Sequence, residues 1–200
     1  MKLKSVGTLS AVLLAVILVQ TVSADWYAGN RRSSTYGGKA NISAPAQAPS
    51  IASGGESNWV SLPGPYWLQT GWRYYKGWTT ARRYVEYYLP NGVYSLTDHG
   101  TQVWGSTVNY QIEHTSGTIW CAIIAGSTYN CSSVVSAPRE IQAFSEVHTS
   151  SSNVLNTRFA AVYYKNSSGS WLLFNQANWR EDSPYRVQKD QYYYYLNYGP

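Results

Sequence analysis

Beyond residue 24 the chain lacks any apolar run approaching the roughly 20 residues that a membrane-spanning helix requires, so no later segment is expected to anchor it. Ala, Leu, Glu and Lys never recur at helical spacing over three turns, which excludes a helical bundle or an alternating α/β design. Cysteine is limited to Cys121 and Cys131, and one pair with no histidine or third cysteine at ligand spacing excludes a structural zinc site. No internal repeat is visible. The formal charge of +5 includes Lys2 and Lys4, and Arg31-Arg32 and Arg82-Arg83 are the only adjacent arginines, so there is no basic stripe for nucleic acid. Acidic residues are scarce, ten in 200, and each one placed in mid-strand therefore draws attention.

The first 24 residues read as a signal peptide. Lys2 and Lys4 supply a basic start, Val12 to Val19 an apolar stretch, and Val22-Ser23-Ala24 a small-residue cleavage site. The mature protein is expected to begin near Asp25 and to be secreted, monomeric and free of membrane. Cys121 and Cys131 flank Gly126-Ser127 as the arms of a hairpin would, and in an exported protein that predicts a disulfide, with two free thiols as the alternative. Asn41, Asn130 and Asn166 head glycosylation sequons, meaningful only in a host that glycosylates.

Residues 25–200 are long enough for one domain with a real core. Tyr, Trp, Val, Thr and Ser dominate, and turn residues recur about every ten positions, which predicts an all-β sandwich or barrel. Candidate strands are Tyr36 to Ile42, Asn58 to Leu62, Trp67 to Tyr75, Arg82 to Tyr88, Gln102 to His114, Thr118 to Ile124, Ile141 to Val147, Phe159 to Tyr164 and Trp171 to Phe174. The segment Ala44 to Gly55 reads as a loop. The tyrosine-rich tail, Gln191 to Tyr198, reads as a last strand or a sticky edge. Aromatic residues make up 16%, more than a core of this size requires, so many are expected on a sheet face or groove wall, where Tyr and Trp offer an apolar face and a polar tip.

Strand alternation sorts the polar groups. Trp67, Gln69, Gly71 and Arg73 share one face; so do Arg82, Tyr84, Glu86 and Tyr88; so do Gln142, Phe144, Glu146 and His148. If these strands are neighbours, Gln69, Glu86 and Glu146 line one groove. The plainer alternative is a polar outer face.

Several segments, in order, carry a family resemblance. Asp25-Trp26-Tyr27-Ala28-Gly29 and Tyr36-Gly37-Gly38 to Pro45 come first, then Asn58-Trp59-Val60-Ser61-Leu62, Leu68-Gln69-Thr70-Gly71, Tyr84-Val85-Glu86-Tyr87-Tyr88-Leu89-Pro90 and Ala143-Phe144-Ser145-Glu146. This set resembles the eqolisin family of glutamic peptidases, down to about Phe174. The resemblance implies an antiparallel β-sandwich of the concanavalin-like jelly-roll type, a polypeptide substrate, no cofactor and no metal. It also implies Gln69 and Glu146 as the catalytic pair, with Trp59 and Tyr84 walling the cleft and Glu86 orienting Gln69 or shaping the groove. A surface carboxylate paired with Arg82 or Arg83 is the other reading of Glu86, and His148 reads as a rim residue. Positions that are acidic in the family hold Pro63, Arg73 and Arg82 here. If the arginines lie close to Glu146 they should lower its pKa, while burial beside Phe144 should oppose them.

The chemistry implied is amide hydrolysis. A single carboxyl group, Glu146, can act as general base toward water and then as general acid toward the leaving nitrogen. A neutral amide, Gln69, can donate to the developing oxyanion through its NH₂ and orient the water through its carbonyl oxygen. Two rival readings stand beside this one: a non-catalytic secreted sandwich that binds carbohydrate or a surface partner through its Tyr and Trp face, and a glycoside hydrolase with Glu86 and Glu146 as paired carboxylates.

Overall fold

In a computed structural model that describes residues 25–200, every regular element is a β-strand. The segment read as a signal peptide lies outside the described residues. One sheet contains β1 (Asp25–Thr35), β3 (Gly55–Leu62), β4 (Trp67–Tyr75), β5 (Ala81–Tyr88), β6 (Tyr94–Gln102), β10 (Arg139–His148) and β13 (Trp179–Glu181), in the spatial order β13-β1-β10-β3-β4-β5-β6. The second contains β2 (Gly37–Ser43), β7 (Thr107–Ser116), β8 (Ile119–Ile124), β9 (Ser127–Ser133), β11 (Leu155–Lys165), β14 (Arg186–Gln191) and β15 (Tyr194–Gly199), ordered β14-β15-β11-β2-β7-β8-β9. A short strand, β12 (Trp171–Leu173), pairs with β11. All pairings are antiparallel, and the two sheets pack face to face as the expected sandwich.

Alternation explains the core. In β4, Leu68, Trp72 and Tyr74 are buried toward the second sheet, where they join Tyr110, Ile112, Trp120 and Ala122 of β7 and β8 in one apolar cluster, and Thr70 is buried on the same face. Fully burying a Leu- or Phe-sized side chain contributes about 1.5–3 kcal/mol, so the many sealed side chains here, Trp72, Trp120, Phe159 and Tyr195 among them, hold the sheets together. Cys121 and Cys131 are directly opposite in the β8–β9 hairpin and form the expected disulfide.

Three strand expectations need correction. Gln102 to His114 is not one strand: a tight turn at 103–106, closed by Ser106 N–H donating to Val103 O at 3.1 Å, separates β6 from β7. Gly105, at φ +76°, supplies a left-handed conformation that the alternation of side chains does not reveal. Most of β6, together with β13 and β14, was not expected, because these edge or near-edge strands are largely exposed and carry no apolar alternation. The tyrosine-rich tail is a strand, but not an edge: β15 sits between β14 and β11, with Tyr195 and Asn197 sealed inside.

Candidate active site

The first sheet buries one face against the second sheet and carries a groove of about 480 Å³ on the other. Four successive rungs of paired residues build its floor. Asp25, His148, Gly55 and Tyr75 form the first rung, and Tyr27, Glu146, Ser57 and Arg73 the second. Gly29, Phe144, Trp59, Gly71 and Tyr84 form the third. Gln142, Ser61, Gln69, Glu86 and Leu96 form the fourth. The strands expected to be neighbours are therefore brought together, with β3 inserted between the glutamine and glutamate strands, and Gln69, Glu86 and Glu146 all line the groove.

The third rung works because two of its members lack side chains. A Cβ on Gly71 would lie 1.9 Å from Asn58 O and one on Gly29 would lie 2.2 Å from Phe144 Cδ1, so the space over both glycines is already occupied. Backbone of Asn58 and Trp59 occupies it over Gly71 and the Phe144 ring over Gly29, and Trp59, Phe144 and Tyr84 form a small apolar cluster separate from the main core.

At the glutamate end, Tyr27 Oη donates to Glu146 Oε1 at 2.7 Å and Trp59 Nε1 donates to Oε2 at 3.2 Å. Burial raises the Glu146 pKa above the ordinary carboxyl value; the nearby His148 charge and these hydrogen bonds oppose burial, and Asp25 reinforces it. The arginines do not act as expected. Arg73 and Arg82 both bind Asp98, at 2.8 and 2.9 Å, so their charge is taken up there. Burial alone would raise the Asp98 pKa, but hydrogen bonds and charge from the two arginines hold it below its usual value.

At the glutamine end, Gln69 Nε2 donates to Glu86 Oε2 at 2.7 Å and to Tyr84 Oη at 3.2 Å. Tyr94 Oη donates to the other oxygen of Glu86 at 2.7 Å. Glu86 thus accepts from the amide of Gln69, and among the described residues it makes no ion pair with Arg82 or Arg83. The amide commits both N–H groups and leaves its carbonyl oxygen for a water or substrate.

One wall assignment is revised. Trp59 lines the groove, whereas Tyr84 is fully buried beneath it, and its pKa is raised well above the ordinary value by burial first and by Glu86 and Glu146 next. Phe144 is buried in the same cluster, so these aromatics lie under the groove as a floor. His148, read as a rim residue, lies deeper than that. Its Nδ1 is 3.2 Å from Asp25 Oδ1 and 3.9 Å from Glu146 Oε1. Sequence reasoning missed Asp25, Tyr27 and Ser57 as site residues, although Tyr27 and Ser57 fall on the same alternating face as Gly29 and Trp59. Among the described residues, Asp25, Glu146 and His148 are the one group whose potential metal-ligand atoms all lie within 4.8 Å of one another.

Gln69 and Glu146 stand two rungs apart, roughly 13 Å along the strands and about 10 Å across them at the backbone. Both side chains reach toward the rung between them, Glu146 to the Trp59 indole and Gln69 to the Tyr84 hydroxyl. A bound group contacting both must lie diagonally over Trp59.

No protein-family model matches the chain, and no curated protein does. Among solved structures it is similar to a scytalido-glutamic peptidase bound to a peptide-based transition state analog, with a TM-score of 0.67 and 15% identity over 88% of this chain and 100% of that one. It is also similar to SCP-B, a member of the eqolisin family of peptidases in complex with the tripeptide Ala-Ile-His, with a TM-score of 0.65 and 14% identity over the same shares. The resemblance seen in the sequence thus extends to the fold, which spans the whole of those structures.

Proposed function

We propose that this protein is an exported endopeptidase, released near Asp25 by signal cleavage, that hydrolyses polypeptides in acid with Glu146 and Gln69. The observation that carries this reading is the placing of both residues on one face of one groove, each fixed by hydrogen bonds and both inclined toward the Trp59 floor. The fold shared with structures that hold a peptide-based analog and a tripeptide adds support.

In this reading Glu146 takes a proton from water and returns it to the leaving nitrogen. Its burial suits both halves of that role, because a raised pKa makes the carboxylate a stronger base toward water while leaving the acid able to return the proton. Gln69 presents its carbonyl oxygen to the water. To donate to the oxyanion it must exchange one N–H from its longer contact, the 3.2 Å bond to Tyr84, while Glu86 keeps the other. Glu86 is a positioning residue. Its oxygens are occupied by Gln69 and Tyr94, and it lies three strands from Glu146, which disfavours the paired-carboxylate reading of a glycosidase.

The test is digestion of an unfolded protein by wild type, Glu146→Gln and Gln69→Ala. Both variants should fold. Glu146→Gln should lose cleavage altogether, and Gln69→Ala should lose about 10²–10³ in rate, the usual effect of removing an oxyanion donor. If pure wild type cuts nothing between about pH 2 and pH 7, a range covering depressed to strongly raised carboxyl pKa values, the binding-module reading replaces this one.

A further inference from the structure

We propose that His148 is a positioning residue of the site, whose imidazolium stabilises the Glu146 carboxylate and sets the acid limit of activity; this rests on the peptidase reading above.

Four contacts fix the ring. Asp25, His148, Gly55 and Tyr75 are paired in register across β1, β10, β3 and β4, and the strand between the two rings contributes only a glycine. A Cβ at Gly55 would lie 2.6 Å from Tyr75 Cδ1, so its absence is what lets Tyr75 and His148 stack, with centroids 5.7 Å apart and planes inclined by 9°. Nε2 is 3.1 Å from Ser57 Oγ, and Nδ1 faces the Asp25 and Glu146 carboxylates at 3.2 and 3.9 Å. The Ser57 hydroxyl can accept from a protonated Nε2 or donate to a neutral one, so the ring keeps its place in both charge states. What changes with its proton is the charge beside Glu146, not the geometry.

The charged and titratable groups around this pair are few. β1 brings Asp25 and Tyr27, β4 brings Arg73 and Tyr75, and β13 brings Arg180 over the Tyr27 ring. Arg73 is bound to Asp98 and Arg180 to Asp182, whereas the His148 ring faces the glutamate, with Nδ1 3.9 Å from Oε1. Two carboxylates, Asp25 and Glu146, thus face the same ring nitrogen. Among the causes acting on Glu146, the His148 charge is the largest of those that oppose burial.

An opposite charge within about 4–6 Å typically lowers a carboxyl pKa by about 1–3 units. Removing it should move the ionisation of Glu146 up by a comparable amount. The experiment follows Glu146 directly, by carbon NMR of protein labelled at glutamate side-chain carboxyls, with the Glu146 signal assigned by its loss in Glu146→Gln. In His148→Gln the midpoint should rise by at least about 1 pH unit, and the acid limb of kcat/KM should rise with it. His148→Lys, which keeps a cation, should bring the midpoint back toward the wild-type value. An unmoved midpoint in a folded His148→Gln protein overturns the proposal, even if cleavage is lost. A raised midpoint in a protein whose wild type cleaves nothing keeps the coupling and removes the peptidase reading.

Discussion

Glu146 and Glu56 lie one register position apart on neighbouring strands, Glu146 opposite Ser57 and Glu56 opposite Val147, and they point to opposite faces of one sheet. Glu146 faces the groove, with two hydrogen-bond donors and a histidine around it. Glu56 faces the sandwich interior, fully buried, and neither of its oxygens makes a hydrogen bond. Asn58 is near enough to favour the charged form slightly, but its Nδ2 is also unpaired, and burial pushes the Glu56 carboxyl up to about 8. The two residues show that burial alone raises a carboxyl pKa without making it useful. Partners placed at the oxygens, and an opening to solvent, distinguish a group that can exchange protons from one that must stay neutral.

The widest separation of the two should appear in stability. Below the ordinary carboxyl value of 4.5 both the folded and the unfolded chain hold the Glu56 proton. Between 4.5 and about 8 the folded chain retains a proton that the unfolded chain has released, so stability falls as pH rises. Above that range the full loss is about 5 kcal/mol, at about 1.36 kcal/mol per unit. Denaturant melts at pH 4 and pH 9 should show this slope in wild type and lose most of it in Glu56→Gln. Parallel slopes in the two proteins would show that the interior carboxyl is not the source.

A smaller effect separates the two faces by packing. Gly71→Ala places a methyl group against the backbone of Asn58 and Trp59, atoms that cannot swing aside. Overpacking of this kind should cost about 1–3 kcal/mol, and it should disturb the Trp59 indole that holds Glu146. Chemical denaturation checks the first and the Glu146 titration the second; a variant as stable as wild type would mean that β3 and β4 can slide apart freely.

The smallest expected change sharpens the comparison by moving Glu146 a step toward the state of Glu56. Tyr27→Phe deletes the 2.7 Å hydrogen bond to Oε1 and keeps the ring. Because that bond favours the charged form, its loss should raise the Glu146 midpoint by about 1 pH unit, near the lower end of what a bond to a charged group contributes. A midpoint that stays or falls would show that solvent in the groove replaces the phenol.

Much of this was legible in the sequence because strands have a period of two. Alternation put Gln69, Glu86 and Glu146 each beside aromatic residues on one strand face and separated Gln69 from Leu68, Thr70 and Trp72, and the spacing of Cys121 and Cys131 around a turn foretold their pairing. Edge strands such as β6 were opaque, since an exposed strand has no apolar face to betray it. The role expected of Arg73 and Arg82 failed for a different reason: which acid an arginine meets depends on Asp98, brought opposite Tyr84 by the β5–β6 pairing.

By itself, then, the sequence determined the all-β class and which residues share a face in the three strands that carry Gln69, Glu86 and Glu146, because these follow from local periodicity. Only the tertiary structure decided that β3 separates Gln69 from Glu146, that Tyr84 lies under the groove instead of beside it, that His148 stacks on Tyr75 across Gly55 and faces Glu146, and that Glu56 is sealed without partners. Strand order and register join residues far apart in the chain, and no local pattern encodes which of them will meet.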